Sequence, residues 1–423
     1  MSWLTKMPSS AIYIFGSSLM SKLRVALLVD EYFGGAKTKF GGYGFLARHL
    51  VAKYLPGDDI DVEVLLKKDC GKVRLIPKCH MIDGIKVYKL AARAFDFINY
   101  LFLKKKQYDV FLSIEMTTHS YRIFSKAPGK NKKLLFWIQD PRPTYEWDEI
   151  NTVKLFPEPC YWDQQVYDFV HQYAKTGNIR FISQARCLDQ KAKDLYRLPA
   201  DTEIQYLPNP IEIDENFDPD YHQKQDNILF LGRIESVKRG WLFAEIARAM
   251  PQYQFYMLGQ AHRQADENNA VMAKYQDIPN LHFVGHVEGE RKNQLLKDAK
   301  LLVNTSIHEA LPVSFLEALS YGTLLVSCQN PDELTSRFGI YTGKVLGDGF
   351  DKLPLFIEGI EQLLQNEAKR QTLAKEAIAY IKKVHHLDKF KQDMSKEIRE
   401  LKSQSRQVQS PQATGSAWPR TVQ

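Results

Sequence analysis

Short apolar runs alternate with longer stretches of helical spacing along most of this chain. Leu23 to Val29, Val62 to Leu66, Tyr108 to Ile114, Lys133 to Ile138, Ile179 to Ile182 and Ile204 to Leu207 read as buried strands. Between the first two, Phe45, Leu46, His49, Leu50 and Tyr54 recur at the spacing of a helix face. Such alternation predicts a parallel sheet covered by helices. Pro208-Asn209-Pro210 and the polar stretch Asp214 to Asp226 then read as a linker. A second series follows: Ile228 to Leu231, Phe255 to Leu258, Leu281 to Val284, Leu301 to Val303 and Leu324 to Val326. The expectation is α/β: two doubly wound, Rossmann-like domains, 20–212 and 213–385, with a cleft between them. Phe350 to about Lys402 has a helical pattern, and its last part, 386–402, is expected to cross back onto the first domain. Residues 403–423, rich in Ser, Gln and Pro, read as a disordered tail. Residues 1–19 read as an extension ahead of an alternative start at Met20.

Composition narrows the classes. A chain of 423 residues is too long for one ordinary core. Its five cysteines form no CxxC pair, which argues against a disulfide framework or a zinc site and for a reducing, cytoplasmic compartment. No run approaches the roughly 18 apolar residues of a membrane span. The net charge of +7 is one-sided. The first 140 residues hold about twice as many Lys and Arg as Asp and Glu, with clusters at Lys67-Lys68, Lys104 to Lys106 and Lys130 to Lys133. The N-terminal half therefore suits an anionic partner or an anionic membrane face, although each cluster by itself suits a solvated surface.

The candidate chemistry centres on His308 to Gly322. Pro312 suits a first helical turn and Gly322 a helix end, so this stretch reads as loop and short helix between two strands. The free amides of Val313 and Ser314 would face a ligand, and such a helix start attracts phosphate. Glu317 can accept from a vicinal diol such as a ribose, and Glu309 lies where a group beyond the phosphates would rest. A solvated loop Glu and a surface helix Glu are the alternative. Gly232-Arg233 and Lys238 sit at a strand-to-helix turn and can meet a diphosphate. The turn at His286-Val287 can offer backbone groups to a base edge. In the first half, Gly41, Gly42 and Gly44 let the backbone approach a ligand. Gly42 to Ala47 also fits the loose GxGxxA dinucleotide pattern, but lies too far beyond its strand for a tight turn. Gln139-Asp140-Pro141-Arg142-Pro143 closes a strand and leads into Tyr145, Trp147, Phe156, Tyr161 and Trp162. Asp140 can bind hydroxyls. The aromatics suit either sugar stacking or a small core pinned by prolines.

These residues resemble the retaining glycosyltransferases of family four, of GT-B fold, over roughly Met20 to Lys383. The Glu-x7-Glu motif is Glu309 and Glu317, preceded by Gly232-Arg233 and Lys238. The resemblance implies a nucleoside diphosphate sugar as donor, a glycan or lipid-linked acceptor, no cofactor, no metal and no nucleic-acid partner. It puts Glu317 on the ribose, and Arg233 and Lys238 on the diphosphate. Glu309 and the amides of Leu311 to Ser314 would meet the donor sugar and its phosphates, His286 and Val287 the base. Gly41, Gly42 and Gly44 would close on the donor from the other domain, and Asn209 would open the hinge. Where many members carry a histidine near the reacting sugar, this chain has Gln139. Glu309, Gln139 and Asp140 are therefore the candidate catalytic residues, with His119 as a nearby substitute for the missing histidine. Three rivals stay open: a GT-B nucleotide-sugar epimerase, a non-catalytic sugar-nucleotide-binding protein and an NAD-dependent oxidoreductase.

Overall fold

The computed structural model describes residues 22–39, 41–66, 74–217, 223–261 and 264–404. The extension read over 1–19, the Lys67-Lys68 pair and the tail beyond Gln404 lie outside these residues.

Two sheets form from the two series of apolar runs. The first contains β1 (Leu23–Leu28), β2 (Ile60–Leu66), β3 (Lys78–Ile82), β4 (Ile85–Lys89), β5 (Val110–Ile114), β6 (Lys133–Ile138), β7 (Ile179–Ser183) and β8 (Ile204–Tyr206). Their order is β3-β4-β2-β1-β5-β6-β7-β8. All neighbours are parallel except β3 and β4, a hairpin. The second contains β9 (Gln225–Leu231), β10 (Gln254–Leu258), β11 (Leu281–Gly285), β12 (Ala299–Asn304), β13 (Leu324–Ser327) and β14 (Gly339–Tyr341). Its order is β11-β10-β9-β12-β13-β14, parallel throughout. Central strands such as β5 and β13 are buried at every position, as strands covered on both faces must be.

The hairpin and β14 have no counterpart among the apolar runs. The strand β3 is Lys-Cys-His-Met-Ile on an exposed edge, so no continuous apolar signal marks it. Its turn does carry one: Asp83 and Gly84 both have positive φ, 50° and 78°, the backbone a tight two-residue hairpin turn demands.

The C-terminal helix Leu387–Ser403 packs on the first sheet. It buries Phe390, Met394, Ile398 and Leu401 against the first sheet, each contributing about 1.5–3 kcal/mol. Phe390 stacks on Trp137 of β6 at 5.5 Å, and Arg180 of β7 holds Glu397 and Glu400 at 2.7 and 2.8 Å. Where this helix leaves the preceding one, His385 is buried and its Nδ1 lies 2.7 Å from the Asn209 carbonyl. The two chain crossings between the sheets are thus tied together.

A second tie was not legible as such. Trp147, Ile150 and Val153 are buried in the core of the second sheet, beside Val237 and Trp241. Asp348 accepts from the Lys154 and Leu155 amides at 2.9 Å, and Thr152 Oγ1 accepts from the Gly347 amide at 2.8 Å. Residues 144–156 therefore strap the first domain onto the second. For Trp147 the small-core alternative is the one realised, and no face is left for a sugar.

Candidate active site in the interdomain cleft

The helix Val313–Ser320 follows β12 and its loop. Pro312 stands at the N-cap, one position earlier than the first-turn place expected of it, with φ −67° and ψ 129°. The first-turn amides of Val313 and Ser314 have no acceptor within the helix, and the cap supplies no side-chain bond. The end behaves as read: Gly322 has φ 67°, and the Thr323 amide returns to the Ala318 carbonyl at 3.0 Å.

Glu309 is held just before this helix. Lys238 Nζ, Asn304 Nδ2 and Ser306 Oγ donate to it at 2.6, 3.0 and 2.6 Å. All three converge on Oε1, and Oε2 has no partner among the described residues. Burial opposes its ionisation, but the Lys238 charge and these donors outweigh burial and hold the carboxyl below its ordinary range. Lys238 is positioned by a short turn ending in Arg239, whose guanidinium is fully buried and donates to the carbonyls of Thr305, Val345 and Gly347.

Other expected residues have partners of their own. Glu317 Oε1 receives Lys292 Nζ at 2.5 Å, and Lys292 in turn lies 5.9 Å from the Phe45 ring of the first domain. Arg233 is half exposed, with Nη1 3.1 Å from Glu235 Oε1, and no ion pair joins it to Glu317. The Gly232 amide is spent on the Leu258 carbonyl, and a Cβ at Gly232 would rest 3.9 Å from the Phe230 ring, an ordinary contact. Val287 is buried; His286 is exposed, with Nε2 3.7 Å from Glu288. Leu311 is buried beside the helix start.

From the first domain, Gly42 begins a helix with Gly41 as its cap. A Cβ on Gly44 would lie 2.7 Å from the Phe33 nitrogen and one on Gly41 would overlap Glu31, whereas one on Gly42 meets nothing within 4 Å. Gly42 alone thus presents open backbone. Tyr43, beside it, is half-buried near Asp140 and Glu115, and its loss of solvent raises its hydroxyl well above the ordinary range.

Asp140 and Gln139 leave β6 in opposite senses. Gln139 is buried, and its amide exchanges hydrogen bonds with Asn209 at 3.2 and 3.1 Å. It faces the hinge. Asp140 Oδ2 binds Arg142 at 2.7 and 3.0 Å, and its Oδ1 lies 2.7 Å from His308 Nε2 of the second domain. Burial disfavours the Asp140 anion, yet Arg142 and His308 hold its carboxyl well below the usual value. The other His308 nitrogen meets Glu146 Oε2 at 2.6 Å, and Lys191 holds the second oxygen of Glu146. Burial pulls the His308 pKa down, but the Asp140 charge and its hydrogen bonds raise it overall. His119 is half-buried in the first turn of the helix Thr118–Lys126.

Sequence reasoning assigned no role to His308, Glu146, Glu115 or Lys292. Glu115 is buried with φ 54° and accepts from the Gln139 and Asp140 amides at 3.0 and 2.9 Å and from Tyr196 at 2.6 Å. It directly follows β5, and a lone carboxylate at the C-terminal end of a buried strand is a signal that could have found it. Among the described residues no group of three or more His, Cys, Asp or Glu is placed to hold a metal ion.

The architecture of the chain aligns over 90% of its length with sucrose-phosphate synthase from Thermosynechococcus elongatus, covering 99% of that chain, at TM-score 0.67 and 15% identity. A glycosyltransferase from Rickettsia africae aligns over 91% of this chain and 100% of its own, at TM-score 0.65 and 14% identity. The fold is GT-B. Anabaena HepE, in complex with UDP and glucose, shares the GT-B architecture over 89% of this chain and 100% of its own, at TM-score 0.63 and 13% identity. Residues 213–380, the GT-B lobe that holds Lys238, Glu309 and Glu317, match the family model described as glycosyl transferases group 1. No curated protein matches the sequence.

Proposed function

We propose that the chain moves a sugar from a nucleoside diphosphate sugar to a glycan or lipid-linked acceptor, with retention of configuration and without a metal. The observation that carries this reading is Glu309: three donors grip one oxygen and leave Oε2 to meet a ligand, beside Lys238 and at the foot of an uncapped helix. The group 1 match over the same residues supports it.

In this reading Arg233, Lys238 and the amides of Leu311, Val313 and Ser314 stabilise the negative charge that grows on the leaving diphosphate. Glu317, its Oε1 held by Lys292, offers Oε2 to the ribose, while the backbone at His286 and Val287 meets the base. Glu309 Oε2 accepts from a sugar hydroxyl. The acceptor oxygen bonds to the anomeric carbon as the carbon–phosphate oxygen bond breaks, and its proton passes to the departing phosphate oxygen on the same face. Asp140 and Gln139 act from the first domain by positioning, since their polar atoms are engaged with His308, Arg142 and Asn209. The compartment proposed is the cytoplasm, with peripheral contact to an anionic membrane through the N-terminal half. Among the described residues no helix is long and apolar enough to cross a membrane.

The test is to incubate purified protein with UDP-, GDP- and dTDP-sugars and follow slow donor hydrolysis, starting with UDP-glucose because HepE was crystallised with UDP and glucose. Release of nucleoside diphosphate from one donor class is the expected result. If no donor binds or is hydrolysed, the reading fails.

A further inference from the structure

The helix Asp96–Lys106 carries apolar side chains on both faces. It buries Asn99 and Leu103 and inserts Phe102 against Tyr88 of β4, at 5.0 Å between ring centroids. Its opposite face carries Phe97, Tyr100 and Leu101, with Phe97 71% exposed. These positions share one side of a helix, so they form a stripe rather than scattered exposures. Arg93 precedes the stripe, and Lys104 and Lys105 continue it on the same exposed side.

The patch does not stop at the helix. Cys79 pairs with Tyr88 and Met81 with Lys86 across the hairpin, so Met81 lies on the face of the sheet that the helix covers, beyond the helix and 63% exposed. The Ala92 amide bonds the Arg74 carbonyl at 2.8 Å, which brings Leu75 and Ile76, 57% and 64% exposed, to the start of the helix. Lys86, opposite Met81 on the same face, is exposed, with Nζ 3.7 Å from Glu63. Of the carboxylates nearby, Glu63 is buried under Lys106 and Lys86, Asp83 pairs with Arg48, and Asp96, in the helix's first turn, accepts from Asn99.

We propose that this face, the outward stripe of helix Asp96–Lys106 with Leu75, Ile76 and Met81, seats the protein on the surface of an anionic lipid bilayer. Charge decides between occupants. A second copy or a water-soluble protein would have to meet an apolar stripe flanked by the exposed cations Arg93, Lys104 and Lys105. A bilayer supplies both chemistries at once: acyl chains for Phe97 and Leu101, and phosphate headgroups for Arg93, Lys104 and Lys105. The helix follows β4 and runs back along the sheet, so its Phe97 end lies toward the C-terminal ends of β1 and β2, where the cleft opens. A lipid-linked acceptor would then reach the donor from the membrane. That last step rests on the proposed transferase reading; the docking itself does not.

The experiment is flotation of the full chain with vesicles of phosphatidylcholine alone and of phosphatidylcholine with phosphatidylglycerol. Wild type is expected to float with the anionic vesicles only. Lys104→Gln with Lys105→Gln should weaken partition about thirtyfold, and Phe97→Ser with Leu101→Ser at least tenfold. All four side chains are exposed, so thermal unfolding should be unchanged in both variants, and so should donor hydrolysis in solution. Wild type that stays soluble with anionic vesicles, or variants that float like wild type, would overturn the proposal. Apolar variants that instead dissociate a dimer would assign the face to a second copy and also overturn it. Vesicle binding without any donor hydrolysis would leave the docking standing and remove the transferase reading, so the two failures are separable.

Discussion

His308 Nε2 of the second domain lies 2.7 Å from Asp140 Oδ1 of the first, and its other nitrogen lies 2.6 Å from Glu146. This is a polar joint between the domains, with His308 buried, and it stands one residue from Glu309. Whatever opens the cleft must release it.

The joint sets a pH window. His308 is raised above its ordinary value, so its contribution is complete below about pH 6.5 and is lost as pH rises through the folded value. Glu146 falls to about 2: burial opposes this, and the His308 bond and charge outweigh it, so its share is present above about pH 4.5 and lost toward 2. Thermal unfolding of wild type and His308→Gln should therefore differ most between about pH 5 and 6.5, by about 3 kcal/mol, and converge in alkali. A difference that grows with alkalinity would contradict the pairing.

Lys238→Ala and Glu317→Ala should each lower sugar transfer at least tenfold, the size of one lost charge-assisted contact. Lys238→Ala also removes the largest charge that keeps Glu309 ionised, so its rate should depend on pH where that of Glu317→Ala does not. Steady-state transfer rates across a pH series measure both effects.

The three glycines should separate by cause. Gly44→Ala must displace the Phe33 backbone and should lower stability, whereas Gly42→Ala has open space and should unfold like wild type. A rise in donor KM for Gly42→Ala at unchanged stability would mark its backbone as a ligand contact. Unchanged kinetics would leave the glycine without that role.

Trp147→Ala should destabilise the protein by about 3–5 kcal/mol, because it empties a buried site in the second domain's core from a segment of the first. The two lobes should then unfold in separable steps, which calorimetry would show as a broadened or split transition. One sharp transition at the wild-type temperature would deny the strap its structural weight.

Much of this was written in the chain order. Apolar runs such as Leu23 to Val29 and Leu324 to Val326 become buried parallel strands because a strand covered on both faces must be apolar throughout, and that is a local property. Gly322 likewise announces its helix end, since the backbone there needs a positive φ. The spacing from Glu309 to Glu317 is legible for the same reason: both lie on one loop and one short helix. Tertiary structure alone decided the rest. It chose which oxygen of Glu309 is gripped, turned Gln139 toward Asn209 rather than the cleft, paired Glu317 with Lys292, and set Trp147 in the partner domain's core. Each of these joins residues far apart in the chain, and burial and pairing across such distances depend on how the sheets pack, which no local pattern of residues encodes.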